Sequence, residues 1–143
     1  MNDLNLKELR LEDYPLHSYD KIRFRDTDSL GHVNNALFST FLETGRVELL
    51  YNPEKPLVKK SVAFVIAGQR LDLLSEIMWP GTIDIGTGVR KIGNSSICLV
   101  QGLYQSGELA ATAETVIVQI DEETRSSKPL DEESKELLRK LRM

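Results

Sequence analysis

The segment IRFRDTDSLGHVNN, residues 22–35, changes from one hydrophobic period to another. It opens by alternation, with Ile22 and Phe24 on one face, which is typical of a half-buried strand and predicts one at 17–26. Polar side chains then crowd together before an apolar run begins: Asp26, Asp28, His32, Asn34 and Asn35. The segment therefore predicts a strand that passes into a helix through a polar junction.

The apolar run after this junction predicts a long helix over residues 35–51. Phe38, Phe41 and Gly45 fall on one stripe at helical spacing, and further apolar positions widen its apolar surface. Asn34 or Asn35 is suited to cap its N-terminus, and the prolines of YNPEKP end it because neither can sit in a helix interior. Gly45 is expected to let the helix approach a sheet closely, at a helix-propensity cost of about 1 kcal/mol.

The rest of the chain predicts mainly strands. Apolar or alternating runs lie at 61–75, 82–92, 96–105 and 109–121, and the turns WPGT, GNSS and QSGE separate them. We expect these four strands to form an antiparallel meander, followed by a short helix at about 131–142 that Asp131 caps. One long helix with a long antiparallel sheet favours an α+β fold in which a curled sheet wraps the helix.

Length and composition limit the possibilities. A chain of 143 residues predicts one domain over 1–143, with its core at about 17–121 and a lead-in over 1–16. A net charge of −4 argues against bulk electrostatic binding to nucleic acid or an anionic membrane. No run approaches the ~18 apolar residues of a membrane span, and no signal-peptide pattern opens the chain, so we expect a cytoplasmic protein. Cys98 is expected to be a small buried hydrophobe.

The polar junction also suits catalysis. A helix N-terminus leaves backbone N–H groups unpaired and carries a partial positive charge, so it can stabilise an oxyanion. A carboxylate just upstream is placed to attack a carbonyl or to activate water, which is the chemistry of acyl transfer or hydrolysis. On the residues alone, simple helix capping is the favoured interpretation and catalysis the alternative.

The stretch RFRDTDSLGHVNNALFSTFLETGRVELL resembles the hot-dog-fold acyl-CoA thioesterases of the 4-hydroxybenzoyl-CoA thioesterase-like family. Their signature is an alternating strand, then D-x-D-x-x-G-H-V-N-N, then a helix bearing a Glu and an Arg. The matching residues are Asp26, Asp28, Gly31, His32, Val33, Asn34, Asn35, Glu43 and Arg46. The resemblance covers about residues 17–121 and implies a hot-dog fold with about five strands. It also implies hydrolysis of an acyl-CoA without a metal or redox cofactor.

The resemblance assigns roles within the segment. It implies that Asp28 is the nucleophile or general base, that His32 and Asn35 also contribute to catalysis, and that Val33 and Asn34 contact the substrate. Leu30 is a departure, because the related plant acyl-carrier-protein thioesterases have a catalytic Asn there. A basic turn matches the family's edge near the pantetheine and nucleotide of CoA; its residues are Arg90, Lys91, Asn94, Ser95 and Ser96.

Other expectations concern packing and assembly. Glu43 and Arg46 have the spacing of a same-face pair and predict a salt bridge, within the helix or at a dimer interface. The large aromatic side chains are expected in the core rather than in the acyl pocket: Phe38, Phe41, Phe64 and Trp79. The family joins two units edge to edge, so a homodimer or homotetramer follows from the resemblance.

Two other functions remain open at this point. One is a non-catalytic module that binds or senses acyl-CoA on the same fold. The other is a hot-dog dehydratase or hydratase, which ranks last because that class expects D-x-x-x-x-H whereas Asp28 and His32 are four residues apart. His17, His32 and one cysteine lack the spacing of a zinc site, so no metal is expected.

Overall fold

The computed structural model describes residues 4–143, in which a five-stranded antiparallel sheet packs on one long helix. The strands are β1 (Leu16–Ile22), β2 (Val62–Leu73), β3 (Gly81–Ile92), β4 (Ser96–Gln105) and β5 (Glu108–Asp121). The helices are α1 (Leu37–Leu50) and α2 (Glu132–Arg139), with short 3₁₀ turns at Leu6–Glu8, Leu11–Asp13 and Phe24–Asp26. The predicted α+β hot-dog fold is confirmed. Residues 1–3 of the predicted lead-in lie outside the described residues.

The strand order corrects the predicted meander. β3, β4 and β5 are consecutive neighbours, but β2 pairs with β5 at one edge and β1 pairs with β3 at the other. Leu16 lies opposite Thr87, and Ile22 lies opposite Gly81, so β1 fills the free side of β3. Because that side is taken, β2 crosses over the sheet to the open side of β5, where Leu71 lies opposite Ala113.

The first strand ends at Ile22, four residues before the predicted boundary. The carboxylate of Asp26 accepts a hydrogen bond from the Arg23 backbone N–H at 2.9 Å and forms an ion pair with the Arg23 guanidinium at 3.1 Å. This local pairing stabilises the 3₁₀ turn that replaces the end of the strand. Asp26 is buried as a result, whereas Asp28, two residues further on, is exposed.

The apolar stripe of α1 packs on the concave face of the sheet. Phe38, Phe41 and Leu42 are buried against Ile83 and Ile85 of β3, as the periodicity predicts. A second cluster closes the far end of the helix with residues of the sheet and of α2: Leu49, Leu57, Val89, Leu99 and Leu138. Phe64 packs against this second cluster, but the expectation of a buried Trp79 is wrong, since 42% of this side chain is exposed.

Gly45 marks the closest approach of helix and sheet. A Cβ atom there would lie 2.7 Å from Gln101 Nε2, 2.8 Å from Ile85 Cγ2 and 2.8 Å from Thr87 Oγ1. Contacts this short would force the helix and the sheet apart, which confirms the role inferred for this glycine.

Gly45→Ala is expected to lower the free energy of unfolding by about 1–3 kcal/mol, because overpacking outweighs alanine's better helix propensity. Urea denaturation of the variant beside wild type measures this. Glu48→Ala, at an exposed position of the same helix, is the control and should change stability little. An alanine variant as stable as wild type would contradict the packing argument.

A polar cluster lies under α1 around Arg46, for which the sequence predicted a salt bridge with Glu43. Arg46 is buried, and its Nη1 lies 3.5 Å from Gln101 Oε1. Gln101 Nε2 donates to the Leu42 carbonyl at 3.0 Å and to Thr87 Oγ1 at 3.1 Å. Burial lowers the pKa of Arg46, and the charge of Glu43 only partly opposes this. The predicted Glu43–Arg46 salt bridge does not form within the helix, since Glu43 is exposed while Arg46 turns into the core.

Cys98 is half-buried rather than fully buried. Its neighbours Ile97 and Leu99 point into the core, so the alternation of β4 turns Cys98 to the outer face. Its Sγ lies 3.6 Å from Glu114 Oε1, and burial together with this carboxylate raises the pKa of the thiol. The thiol is therefore a weak nucleophile, consistent with the inert role expected for it.

The C-terminal helix α2 begins at the predicted cap. Asp131 Oδ1 accepts a hydrogen bond from the Ser134 backbone N–H at 2.7 Å, so the predicted cap of α2 is confirmed. In the part of the chain that the structure describes, no helix has the length and apolar character needed to cross a membrane.

Candidate active site

Backbone hydrogen bonds hold the loop that leads into α1 against the segment that follows β2. The Val33 N–H donates to the Ile77 carbonyl at 2.8 Å, and the Trp79 N–H donates to the Gly31 carbonyl at 3.3 Å. His32 pairs with Met78 in an isolated bridge between these contacts. Gly31 has φ of 80°, which glycine adopts readily, and this turn brings the loop back onto its partner.

A cleft of about 520 Å³ opens where these two segments meet. One wall comes from the loop and the start of α1: Asp28, His32, Val33, Asn34, Asn35 and Phe38. The other wall comes from the end of β2 and the residues after it: Leu73, Leu74, Ser75 and Glu76. The structure thus brings together all the site residues that were predicted within the segment 22–35.

The Asp28 carboxylate is oriented by the backbone of its own loop. Its Oδ1 accepts hydrogen bonds from the Leu30 N–H at 2.8 Å and the His32 N–H at 3.2 Å. Its Oδ2 has no hydrogen-bond donor among residues 4–143, and the side chain is exposed at the cleft. One oxygen is therefore fixed while the other is available to a ligand. Leu30, the departure from the plant motif, contributes its backbone here and leaves its side chain in solvent.

His32 has a partner that sequence reasoning missed. Its Nε2 lies 3.2 Å from Glu76 Oε2, across the cleft from the motif. Glu76 follows the end of β2 in the run LLSEIM. The two polar residues Ser75 and Glu76, directly after an apolar strand, were the signal that could have indicated a site residue there. That signal was not usable, because the predicted meander gave no reason to place the end of β2 beside His32.

The start of α1 is capped locally. The Ala36 N–H donates to Asn34 Oδ1 at 2.9 Å, and the Leu37 and Phe38 N–H groups donate to the Asn34 and Asn35 carbonyls at 2.9 and 3.3 Å. The predicted N-cap by Asn34 or Asn35 is wrong, since Ala36 stands at the N-cap of α1 without a side-chain hydrogen bond and Asn34 Oδ1 binds the turn before it. These amides are also not the open oxyanion donors that were expected. Within the described chain, the backbone N–H and the side-chain amide of Asn35 have no acceptor, so these donors remain free at the cleft.

The basic turn lies at the opposite end of the sheet from the cleft. Ser96 pairs with Val118, whereas Leu103 pairs with Ala111, which in turn pairs with Leu73 beside the cleft. At ~3.3 Å per residue, the length of β4 between these levels is roughly 23 Å. Within one chain the structure does not bring the turn to the cleft, and this applies to Arg90, Lys91, Asn94, Ser95 and Ser96. Arg90 is also paired with Glu114 at 3.1 Å.

The buried Asp26 supports the cleft loop from behind, since its carbonyl accepts the Asn34 N–H at 2.9 Å. Burial acts to raise the pKa of the Asp26 carboxyl, but hydrogen bonds and charge from Arg23 outweigh it and hold the pKa below its ordinary value of 3.8. A depressed pKa stabilises the fold above the unfolded-state pKa, and this stabilisation is lost as pH falls through the folded-state pKa.

Asp26→Asn is therefore expected to lower the free energy of unfolding at about pH 7 and to have a smaller effect at about pH 2, because the stabilisation falls as pH decreases toward and through the folded-state pKa. Urea denaturation at both pH values measures the difference. Asp84→Asn, on the outer face of β3, is the control. A loss of equal size at both pH values would contradict the ionic role of Asp26.

The five-stranded antiparallel sheet packed on one long helix is the hot-dog arrangement, and the backbone-held carboxylate of Asp28 lies in the loop that precedes this helix. Comparison with known families agrees: the family model of the thioesterase-like superfamily matches residues 22–140. The chain belongs to this superfamily, and the predicted enzyme class, a thioester hydrolase, is confirmed at the level of the family.

Individual relatives are similar over most of their length. The uncharacterized protein YsmA of Bacillus subtilis (strain 168) is 29% identical over 118 residues, which is 82% of this chain and 80% of that protein. A thioesterase from Thermus thermophilus, solved with coenzyme A and Zn, is 29% identical with a TM-score of 0.78, covering 91% of this chain and 96% of that one. The PA5185 protein of Pseudomonas aeruginosa strain PAO1 has the same fold at 23% identity, with a TM-score of 0.83 and coverage of 93% and 95%.

Proposed function

We propose that this protein hydrolyses an acyl-CoA thioester to a free acid and CoA in the cleft beside α1. The observation that carries the proposal is the Asp28 carboxylate, which the loop backbone orients while Oδ2 stays open to the cleft. Membership of the thioesterase-like superfamily supports the reaction class. The coenzyme A bound by the similar Thermus thermophilus thioesterase supports the choice of thioester.

Two routes lead from this geometry to the same products. As a nucleophile, Asp28 attacks the thioester carbonyl, the thiolate leaves, and water hydrolyses the resulting anhydride. As a general base, Asp28 takes a proton from a water that attacks the carbonyl directly. In both, the Asn35 N–H and amide stabilise the developing oxyanion. Neither route uses a metal ion or a redox cofactor.

His32 and Glu76 complete the proposed machinery. With its Nε2 beside the Glu76 carboxylate, the His32 ring is held in one orientation at the cleft wall. His32 lies at the cleft wall where a general acid for the leaving thiolate is needed, and we assign it that role. Phe38, Leu73 and Leu74 offer the apolar surface in the same cleft on which an acyl group would lie.

We also propose a homodimer or homotetramer, since β2 is an edge strand paired only with β5 in the described chain. An open strand edge next to the cleft is suited to pairing with a second copy. Analytical ultracentrifugation tests this, and a monomer at all protein concentrations would reject it.

The test of the function is thiol release from a panel of short, medium, long and aromatic acyl-CoAs, with an acylated carrier protein as a further substrate. We expect turnover of at least one acyl-CoA. Saturable acyl-CoA binding without any thiol release would instead identify a non-catalytic acyl-CoA binding module. Release from the carrier-protein substrate alone would overturn the choice of CoA but keep the enzyme.

A further inference from the structure

Two exposed aromatic rings stand beside the cleft without lining it. Phe24 is 72% exposed and Trp79 42% exposed, and their rings pack edge to face with centroids 5.2 Å apart. The backbone N–H of Trp79 donates to the Gly31 carbonyl, so this residue is held against the loop that carries Asp28. The side chain of Gln105 holds the backbone N–H and carbonyl of Met78 at 2.9 and 2.7 Å. The rings are thus held in place while their surfaces remain open.

On a chain of net charge −4, Phe24 lies between Arg23 and Arg25 in the sequence, and both arginines are exposed. Arg23 is held by Asp26 at 3.1 Å, whereas Arg25 forms no ion pair with any of residues 4–143. A guanidinium without an acidic partner, next to open aromatic surface, matches a ligand that has both a flat ring and a phosphate.

We propose that Phe24, Trp79 and Arg25 bind the adenine nucleotide end of CoA at the mouth of the cleft. The purine stacks on the aromatic surface, and Arg25 pairs with a phosphate. The pantetheine arm then passes the Gly31–Trp79 contact to bring the thioester to Asp28. The inference rests on the proposed function. It adds that the chain that supplies Asp28 also binds the nucleotide, and that the basic turn at the other end of its sheet does not.

The chain provides its own probe, because Trp79 is its single tryptophan. Fluorescence excited at this residue would be titrated with adenosine 3′,5′-bisphosphate, with CoA and with pantetheine, which lacks the nucleotide. We expect saturable quenching by the bisphosphate and by CoA and none by pantetheine. We also expect the affinity to fall as salt rises, since an exposed phosphate contact is screened.

Single substitutions test where the bisphosphate binds. Phe24→Ala is expected to weaken the bisphosphate about tenfold, the loss typical of one aromatic stacking partner, and Arg25→Ala several-fold with a smaller salt dependence. Tyr51→Ala, an exposed aromatic at the far end of α1, and Lys91→Ala, in the basic turn, are the matched controls and should change nothing. Because Phe24 and Arg25 are exposed, thermal melts should show all four variants folded.

Three results of the ligand titrations would overturn the proposal. They are no quenching by millimolar bisphosphate or CoA, quenching that Phe24→Ala and Arg25→Ala leave unchanged, and weakening by Lys91→Ala in place of Arg25→Ala. A Trp79 emission already shielded from acrylamide in a dimer would also overturn it, since the patch would then be covered by a second copy. None of these readouts needs turnover, so absence of thiol release would reject the proposed enzyme without deciding the nucleotide site.

Discussion

Asp28→Asn is expected to lower kcat for thioester hydrolysis by at least about 100-fold, with little change in KM. The amide has the size of the carboxylate, and its oxygen can still accept the Leu30 and His32 N–H groups, so the loop should keep its shape. What is lost is the negative charge and basicity of the oxygen that faces the cleft. Thiol release at saturating substrate measures the effect, with Asp84→Asn as the matched control of unchanged activity.

A full-activity Asp28→Asn variant would remove Asp28 from the mechanism while leaving the thioesterase assignment intact. If activity is lost as expected, a single turnover of the wild-type enzyme in H₂¹⁸O tests the nucleophilic route. Product acid that carries only ¹⁶O, together with ¹⁸O in Asp28, would show an anhydride that water opens at the Asp28 carbonyl, and so a nucleophilic Asp28. Product acid that carries ¹⁸O would exclude this path, and is expected for a general base or for water attack at the acyl carbonyl of the anhydride.

Gln101→Leu is expected to be strongly destabilising, with a loss of about 3 kcal/mol or more in the free energy of unfolding. Leucine fills a similar volume but leaves the buried Arg46 guanidinium without its Oε1 acceptor and the Leu42 carbonyl without its Nε2 donor. An uncompensated charge in the core costs more than the hydrogen bonds themselves contribute. Urea denaturation at about pH 7 gives the change in the free energy of unfolding.

A double-mutant cycle tests the stated cause of this loss. In an Arg46→Met background the core holds no guanidinium, so Gln101→Leu should cost clearly less than it does in wild type. Equal losses in both backgrounds would show that Gln101 stabilises the fold through Leu42 and Thr87 alone. Either result is independent of the catalytic proposals.

Features that depend on neighbours in sequence could be predicted. Periodicity identified α1 and all five strands, and the Asp28–Asn35 cluster was found because its residues lie within one loop. Asp131 capped α2 as expected for the same reason. Hydrophobic period and capping chemistry are local properties, so a single sequence carries them.

Features that depend on pairing between residues far apart in the sequence could not be predicted. The side of the sheet on which β2 lies is decided by β1 having filled the edge of β3, and no local pattern records this. Glu76 was missed for that reason, because its place beside His32 follows from the position of β2. The i,i+3 spacing of Glu43 and Arg46 suggested a salt bridge between them, whereas the buried Arg46 guanidinium lies beside Gln101, a polar residue on the inner face of β4.

The strand order has a kinetic consequence for the cleft. β3, β4 and β5 are joined by short turns, so they can pair through local contacts. Pairing of β1 and β2 closes long loops, because Leu16 pairs with Thr87 and Val62 pairs with Asp121. Contacts that close long loops form slowly. Since the end of β2 supplies one wall of the cleft, we expect pulse-labelled hydrogen exchange during refolding to show β4 amides protected before those of β2. Simultaneous protection would contradict this order. A refolding intermediate in which β3, β4 and β5 have paired but β2 has not would have part of the sheet and would lack one wall of the cleft.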